Sequence, residues 1–92
     1  MKIYFFGSDG CQKCQTMRSI LDGEKIKYVY IDALDEDNDN VCNRYGVDEL
    51  PHTIILDDNN KMIFDVVGIF DTNIAKNKIK NVFDLKKFKK DL

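Results

Sequence analysis

Apolar runs alternate with turn-forming residues along the chain and divide it into short elements. The first run is Ile3-Tyr4-Phe5-Phe6, and Gly7 follows it. Apolar runs of this length that are rich in β-branched and aromatic residues predict buried strands. Three later runs have the same character, so four strands are predicted: 2–6, 28–31, 53–56 and 62–67. Asp58-Asn59-Asn60, between the last two runs, predicts a hairpin turn because Asn and Asp tolerate positive φ.

The segments between the strands predict helices. The first runs from near Cys11 to about residue 23, with Gly23 as the glycine that follows the helix. A short second helix ends at Gly46, and a third is capped by Asp71 or Thr72. The apolar residues of the first helix are Met17, Ile20 and Leu21, those of the second are Val41, Cys42 and Tyr45, and the core candidates of the third are Ile74, Ile79, Val82 and Phe83.

The order strand, helix, strand with short links predicts an α/β fold in which the first two strands are parallel. Ninety-two residues predict a single domain spanning 1–92, large enough for its own core. A net charge of −2 gives no indication of a nucleic-acid partner. The apolar start of the chain is too short for a signal peptide, and no apolar run approaches membrane-spanning length. We therefore expect no membrane association.

Two of the three cysteines, Cys11 and Cys14, stand three positions apart where a strand turns into a helix. On a first helical turn, residues i and i+3 share one face, so the two sulfur atoms can meet. Cys11 falls at or near the N-cap, where unpaired N–H groups and the helix dipole favour an anion. The thiolate is the reactive form of cysteine. This pattern predicts Cys11 as the reactive thiol and Cys14 as the one that resolves a mixed disulfide.

Two other interpretations of the pair remain open. It could be half of a zinc site or a purely structural pair, but a structural zinc site needs four ligands and only Cys42 and His52 remain. We therefore expect no metal, and the strand–turn–helix setting favours redox chemistry. An odd number of cysteines argues against a secreted disulfide scaffold and favours the cytoplasm. Cys42 is expected to be a half-buried, inert helix residue, and a regulatory or metal-binding role is the alternative.

His52 also has two interpretations. It is a strand histidine that faces solvent or packs against a helix, or it reaches the edge of the site and carries protons near neutral pH. The aromatic residues Tyr4, Phe5, Phe6, Tyr28 and Tyr30 are expected in the core and on the sheet faces.

The predicted element order, with C-x-x-C opening the first helix, resembles the thioredoxin superfamily in its short, glutaredoxin-sized form. The run 45–56, Tyr-Gly-Val-Asp-Glu-Leu-Pro-His-Thr-Ile-Ile-Leu, resembles the thioredoxin segment Tyr-Gly-Ile, two variable residues, Ile-Pro-Thr and an apolar strand. Gly68 matches the glycine that ends the following strand. The resemblance implies a minimal thioredoxin fold, with a four-stranded mixed sheet flanked by three or four helices.

The resemblance also implies a thiol–disulfide oxidoreductase with no built-in cofactor. Cys11 would be the nucleophile and Cys14 the resolving thiol. Pro51 would be the cis-proline against the pair, and Leu50 would offer its backbone to an extended substrate, near Gly68. Partners would be protein disulfides and a reductase of the thioredoxin-reductase type, or glutathione. The alternative function is a non-catalytic module of the same fold that acts as a metal-binding or redox-sensing adaptor. We expect a monomer.

The chain departs from the family pattern at several positions. Gln12 and Lys13 stand where thioredoxin has Gly-Pro, and the charge of Lys13 is expected to stabilise the Cys11 thiolate. Phe5 stands where thioredoxin has a buried aspartate, and Tyr28 where it has the lysine partner of that aspartate. Ile69 replaces the second glycine of the glutathione-binding turn of glutaredoxins. This replacement favours a thioredoxin-reductase type of donor over glutathione.

Overall fold

The computed structural model describes residues 1–74 and 77, so Ile79, Val82 and Phe83 of the predicted third helix lie outside the described residues. Four strands form one sheet: β1 (Lys2–Gly7), β2 (Val29–Asp32), β3 (His52–Leu56) and β4 (Met62–Val67). The order across the sheet is β2-β1-β3-β4, with β1 and β2 parallel and the other two pairs antiparallel. The predicted four-stranded mixed sheet is confirmed.

Two complete α-helices lie within the described residues and flank this sheet. Helix α1 (Gln12–Gly23) connects the two parallel strands. A 3₁₀ turn at Glu36–Asn38 leads into the short helix α2 (Asp39–Arg44). No helix within residues 1–74 is long and apolar enough to cross a membrane.

The alternation of side chains along β1 divides the core into two faces. Phe5 packs with Cys14, Met17 and Leu21 on the side that α1 covers, which we call the α1 face. The next residue, Phe6, packs with Cys42, Ile54 and Leu56 on the opposite side, the α2 face. All five residues of the inner strand β3 are buried, which agrees with the apolar run Ile54-Ile55-Leu56 that forms most of the strand.

The end of α1 differs from the prediction that Gly23 follows the helix. Gly23 is the last helical residue, and Lys25 takes the left-handed conformation, with φ of 59°. The N–H of Ile26 donates to the Leu21 carbonyl (3.0 Å) and the N–H of Lys25 donates to that of Asp22 (3.0 Å). These are the two bonds of a Schellman motif, in which an apolar residue beyond the helix packs back on its last turn. Here Ile26 packs against the α1-face core, so tertiary packing sets the end of the helix.

The other predicted turns agree with the structure. Gly46 ends α2 with φ of 66°, and Val47 donates its N–H to the Cys42 carbonyl at 2.9 Å. In the β3–β4 hairpin, Asn60 has φ of 64°. The Asp57 carboxylate accepts the N–H groups of Asn59 and Lys61 at 2.8 and 2.9 Å, which holds this turn.

The start of the third helix is capped by Asp71, whose carboxylate accepts the N–H of Asn73 at 2.9 Å. Thr72 is buried in the first turn, whereas Ile74, predicted as a core residue, is 54% exposed. The prediction for Ile74 is therefore wrong. Residues two positions apart on a helix point in different directions, and the buried position at the start of this helix belongs to Thr72.

Candidate active site

The cysteine pair lies where β1 passes into α1. Cys11 is the N-cap of α1, with extended φ and ψ of −93° and 111°, and its sulfur accepts the N–H of Cys14 at 3.2 Å. The two sulfur atoms lie within disulfide distance, and the Cα atoms are 5.2 Å apart, which is an ordinary separation for a disulfide. Cys14 is fully buried, whereas Cys11 is partly exposed. An incoming group can therefore reach the first sulfur more easily than the second.

Gly7 allows α1 to approach the end of β1 this closely. A Cβ atom at Gly7 would lie 3.1 Å from Cε1 of Phe5 and 3.2 Å from both Cβ and Sγ of Cys14. These distances are shorter than ordinary carbon contacts, so a larger residue would displace the buried cysteine. From the sequence alone, Gly7 is predicted only to end a strand. Its position four residues before the first cysteine is the signal that was missed.

Leu50, Pro51 and Gly68 meet at the same end of the sheet. The Leu50–Pro51 peptide bond is cis, and the Pro51 side chain is fully buried. The register pairs Phe6 with His52, so Pro51 lies beside the end of β1. Its carbonyl accepts the N–H of Gly68 at 2.7 Å, and Gly68 has φ of 90°. Leu50 packs against the core that contains Cys14.

A phenylalanine underlies the buried cysteine. Phe5 is 0% exposed in the cluster that contains Cys14, so the position assigned to the aspartate of thioredoxin carries no charge. Nearby, the Tyr28 hydroxyl donates to the Asp22 carboxylate at 2.8 Å and accepts from Nε of Arg18 at 3.5 Å. This bond to Tyr28 raises the pKa of Arg18.

Comparisons with known proteins identify the fold. No family model matches the sequence, and no curated protein matches it. Among solved structures, thioredoxin 1 from Thermosipho africanus TCF52B is 25% identical, with a TM-score of 0.73 over 95% of this chain and 99% of that chain. A mutant thioredoxin from Halobacterium salinarum NRC-1 is 23% identical, with a TM-score of 0.72 over 86% of this chain and 71% of that chain. Thioredoxin from Trypanosoma brucei brucei is 21% identical, with a TM-score of 0.71 over 90% and 74%.

The chain has the fold of the thioredoxin superfamily. The resemblance predicted from the sequence is thus confirmed. The thioredoxin fold and the paired sulfur atoms of Cys11 and Cys14 together support a thioredoxin-like redox role.

In this thioredoxin fold, the two proposed modulators of the site lie in different places. Lys13 is exposed in the first turn of α1, between the two cysteines in sequence. His52 is buried on the α2 face, where its ring lies 6.4 Å from that of Phe6 and its Nε2 lies 3.0 Å from a carboxylate oxygen of Asp65. Cys14 packs on the α1 face, so the structure does not bring His52 to the cysteine pair. The suggested role of His52 as a proton carrier has no geometric support.

The third cysteine is in a different environment. Cys42 is 8% exposed in α2, and burial, followed by the nearby charge of Asp39, raises the pKa of its thiol. It borders a groove of about 260 Å³ that Leu34, Val47 and Leu50 also line. Within the described residues, no three His, Cys, Asp or Glu side chains are grouped so that they could hold a metal ion.

Proposed function

We propose that the protein is a thiol–disulfide oxidoreductase that uses the Cys11–Cys14 pair. One observation carries this proposal. The partly exposed Cys11 sulfur caps α1, accepts the N–H of Cys14 and lies within bonding distance of the buried Cys14 sulfur. The helix dipole and the N–H of the capping bond both stabilise a thiolate at this position. Its partner is held where it can close a disulfide.

The reaction has two exchange steps. The Cys11 thiolate attacks one sulfur of a substrate disulfide, the substrate S–S bond breaks, and one substrate thiolate leaves with the electron pair. Cys14 then attacks Cys11 in the mixed disulfide and releases the second substrate thiolate. The substrate is reduced by two electrons and the Cys11–Cys14 pair is oxidised. A reductase returns the two electrons.

The substrate segment would lie along Leu50 and Pro51. Strand β3 begins at His52, so Leu50 lies just before the strand. Its backbone is at the end of the sheet where Cys11 also lies. The N–H of Gly68 donates to the Pro51 carbonyl. This hydrogen bond holds in place the backbone along which the substrate segment would lie. An extended peptide paired with such a backbone gains main-chain hydrogen bonds regardless of its sequence, which suits a reductant of protein disulfides.

The proposed electron donor is a reductase of the thioredoxin-reductase type. Ile69, which occupies the position of the second glycine of the glutathione-binding turn, is 50% exposed. A branched side chain there occupies the space through which a glutathione backbone would approach. Glutathione remains the alternative donor, and turnover with glutathione and glutathione reductase alone would reverse this assignment. We further propose that the protein acts as a monomer in the cytoplasm, where free thiols such as Cys42 stay reduced.

Reduction of insulin by dithiothreitol tests the proposal. The wild-type protein should accelerate the precipitation of the insulin B chain, and Cys11→Ser should abolish the acceleration. Cys42→Ser is the matched control and should retain it. If the wild type shows no turnover and elemental analysis finds one tightly bound metal per chain, the adaptor function replaces the oxidoreductase.

A further inference from the structure

A groove of about 260 Å³ lies beside α2. It is lined by the segment that follows β2, by α2 itself and by the segment that precedes β3. Its apolar lining residues are Ala33, Leu34, Val47 and Leu50. Leu34 is 75% exposed, so solvent reaches this apolar wall. A binding partner could therefore reach it as well.

Two contacts connect this groove with the cysteine pair. Leu50, which lines the groove, packs against the buried cluster that contains Cys14, and so does Cys11. Ala33, which also lines the groove, donates its N–H to the Gly7 carbonyl at 2.9 Å. A Cβ atom at Gly7 would lie 3.2 Å from Sγ of Cys14. The groove is thus continuous with the backbone of Leu50, along which the substrate segment would lie.

Two carboxylates line the same groove. Asp39 is in the first turn of α2, Asp48 follows α2 in the loop before β3, and both side chains are exposed. Among the described residues, neither carboxylate forms an ion pair. Burial, and then the charge of Asp39, raise the pKa of the Cys42 thiol, which is itself part of the groove lining. The charge of Asp39 therefore acts on the groove wall.

The sequence around the groove does not balance these charges. Residues 30–50 contain seven acidic side chains and one basic side chain, that of Arg44, which does not line this groove. Asp39 also has a structural use, because a negative charge in the first turn stabilises a helix. Asp48 is outside α2 and has no such use. A surface of one sign attracts a group of the opposite sign, so this groove favours a cationic group of a partner.

An apolar wall with carboxylates beside it suits one kind of side chain. Lysine and arginine lay their aliphatic stems on apolar surface and keep the charged head in a polar environment. We propose that the groove is a specificity site for a lysine or arginine of the substrate, close in sequence to the cysteine whose disulfide Cys11 attacks. The stem packs on the apolar wall, and the head meets the carboxylates of Asp39 and Asp48. This inference rests on the proposed function and narrows its substrate class to protein disulfides with a basic neighbour.

The groove acts on substrate binding and leaves the exchange chemistry unchanged. Complementary charges at an interface speed association and orient the partner. An extended segment that pairs with a backbone presents its side chains to neighbouring pockets, which gives specificity. Loss of the groove charges should therefore raise KM and lower kcat/KM for a basic substrate, with a smaller effect on kcat.

The test is the reduction of a series of peptide disulfides, with dithiothreitol as the final reductant. Each peptide has one cysteine, and lysine or norleucine stands in turn at each of the three positions on either side of it. Norleucine keeps the four-carbon stem of lysine and lacks the charge. For at least one position, kcat/KM of the wild type should be about fivefold higher with lysine, mainly through a lower KM. This advantage of lysine should shrink at about 1 M salt.

The double variant Asp39→Asn, Asp48→Asn removes both charges and keeps the shape of the side chains. In this variant the advantage of lysine should fall below about twofold. Glu36→Gln is the matched control, because it removes an exposed acidic charge of the same region that does not line the groove, and it should keep the advantage. An effect of lysine on the peptide disulfide itself would persist in every variant. Asp48→Asn alone, which leaves the charge at the start of α2, should lower the advantage by about twofold.

The inference is overturned if lysine and norleucine peptides react equally at every position, if the double variant keeps the advantage, or if Glu36→Gln loses as much of it. Analytical ultracentrifugation covers another occupant. Self-association of the wild type that the double variant loses would assign the groove to a second copy of the chain and would also overturn the inference. Equal reduction of all peptides refutes the groove alone. A wild type that reduces neither insulin nor any peptide refutes the proposed function, and the inference with it.

Discussion

Each face of the sheet carries one buried cysteine on a helix, and the two cysteines differ in whether a second sulfur atom lies beside them. Cys14 is one turn into α1, beside a partner sulfur and an N-cap. Cys42 is inside α2, where burial and Asp39 disfavour its thiolate. Cys14 is the third residue of α1 and Cys42 is the fourth of α2, so neither burial nor position on the helix separates them. The difference is the second sulfur atom at the N-cap of α1, with which only Cys14 can form a disulfide.

The largest effect on activity is expected when each cysteine is replaced by serine. Cys11→Ser and Cys14→Ser should each lower the turnover of insulin reduction on the order of a hundredfold or more, because each removes one of the two sulfur atoms that the cycle needs. Cys42→Ser should stay within about twofold of the wild type. The comparison is wrong if Cys42→Ser loses as much activity as the other two.

The next largest effect is expected on the stability of the protein, from a substitution at Gly7, which lies against the start of α1. Gly7→Ala places a Cβ atom 3.1 to 3.2 Å from Phe5 and Cys14 and should destabilise the protein by about 1–3 kcal/mol through overpacking. Gly10→Ala is the matched control, since a Cβ atom there meets nothing within 4 Å. Urea unfolding of both oxidised variants measures the difference. An equal effect of the two substitutions would show that no close approach exists at Gly7.

The rate of alkylation, measured as a function of pH, compares the reactivity of the thiols in the reduced protein. Cys11 should react with iodoacetamide at lower pH than a free thiol, whose pKa is about 8.5. Cys42 should keep its proton to higher pH because its pKa is raised, and at pH 7 it should react at least about tenfold more slowly than Cys11. Mass spectrometry of peptides identifies the labelled residue. Faster labelling of Cys42 would reverse the assignment of the nucleophile.

Lys13 is expected to have the smallest effect, on the reduction potential of the Cys11–Cys14 pair. Its charge favours the Cys11 thiolate and so the reduced pair, which predicts a potential a few tens of millivolts above the roughly −270 mV of thioredoxin. Lys13→Gln should lower the potential, and the shift should shrink at about 1 M salt because Lys13 is exposed. Lys25→Gln, beyond the far end of α1, is the control. An unchanged potential in Lys13→Gln would refute this electrostatic effect.

Local patterns in the sequence determined much of the fold. The four apolar runs predicted the four strands to within one residue at each end. Gly46 ends α2, and the Asp/Asn segment turns the hairpin, because these residues adopt positive φ at low cost. The spacing of Cys11 and Cys14 at a strand–helix junction predicted that their sulfur atoms meet. All of these properties depend on neighbours a few positions apart.

Tertiary structure decided the remaining features, because they depend on register and packing between residues far apart in the sequence. The pairing of Phe6 with His52 places the histidine on the face opposite Cys14, and a shift of one residue would reverse this. Because Ile26 packs on the α1-face core, the left-handed residue is Lys25 and not Gly23, the residue that the sequence predicts. The pairing of Phe5 with Tyr30 and Thr53 puts these three side chains on one face of the sheet, which no local pattern in the chain predicts.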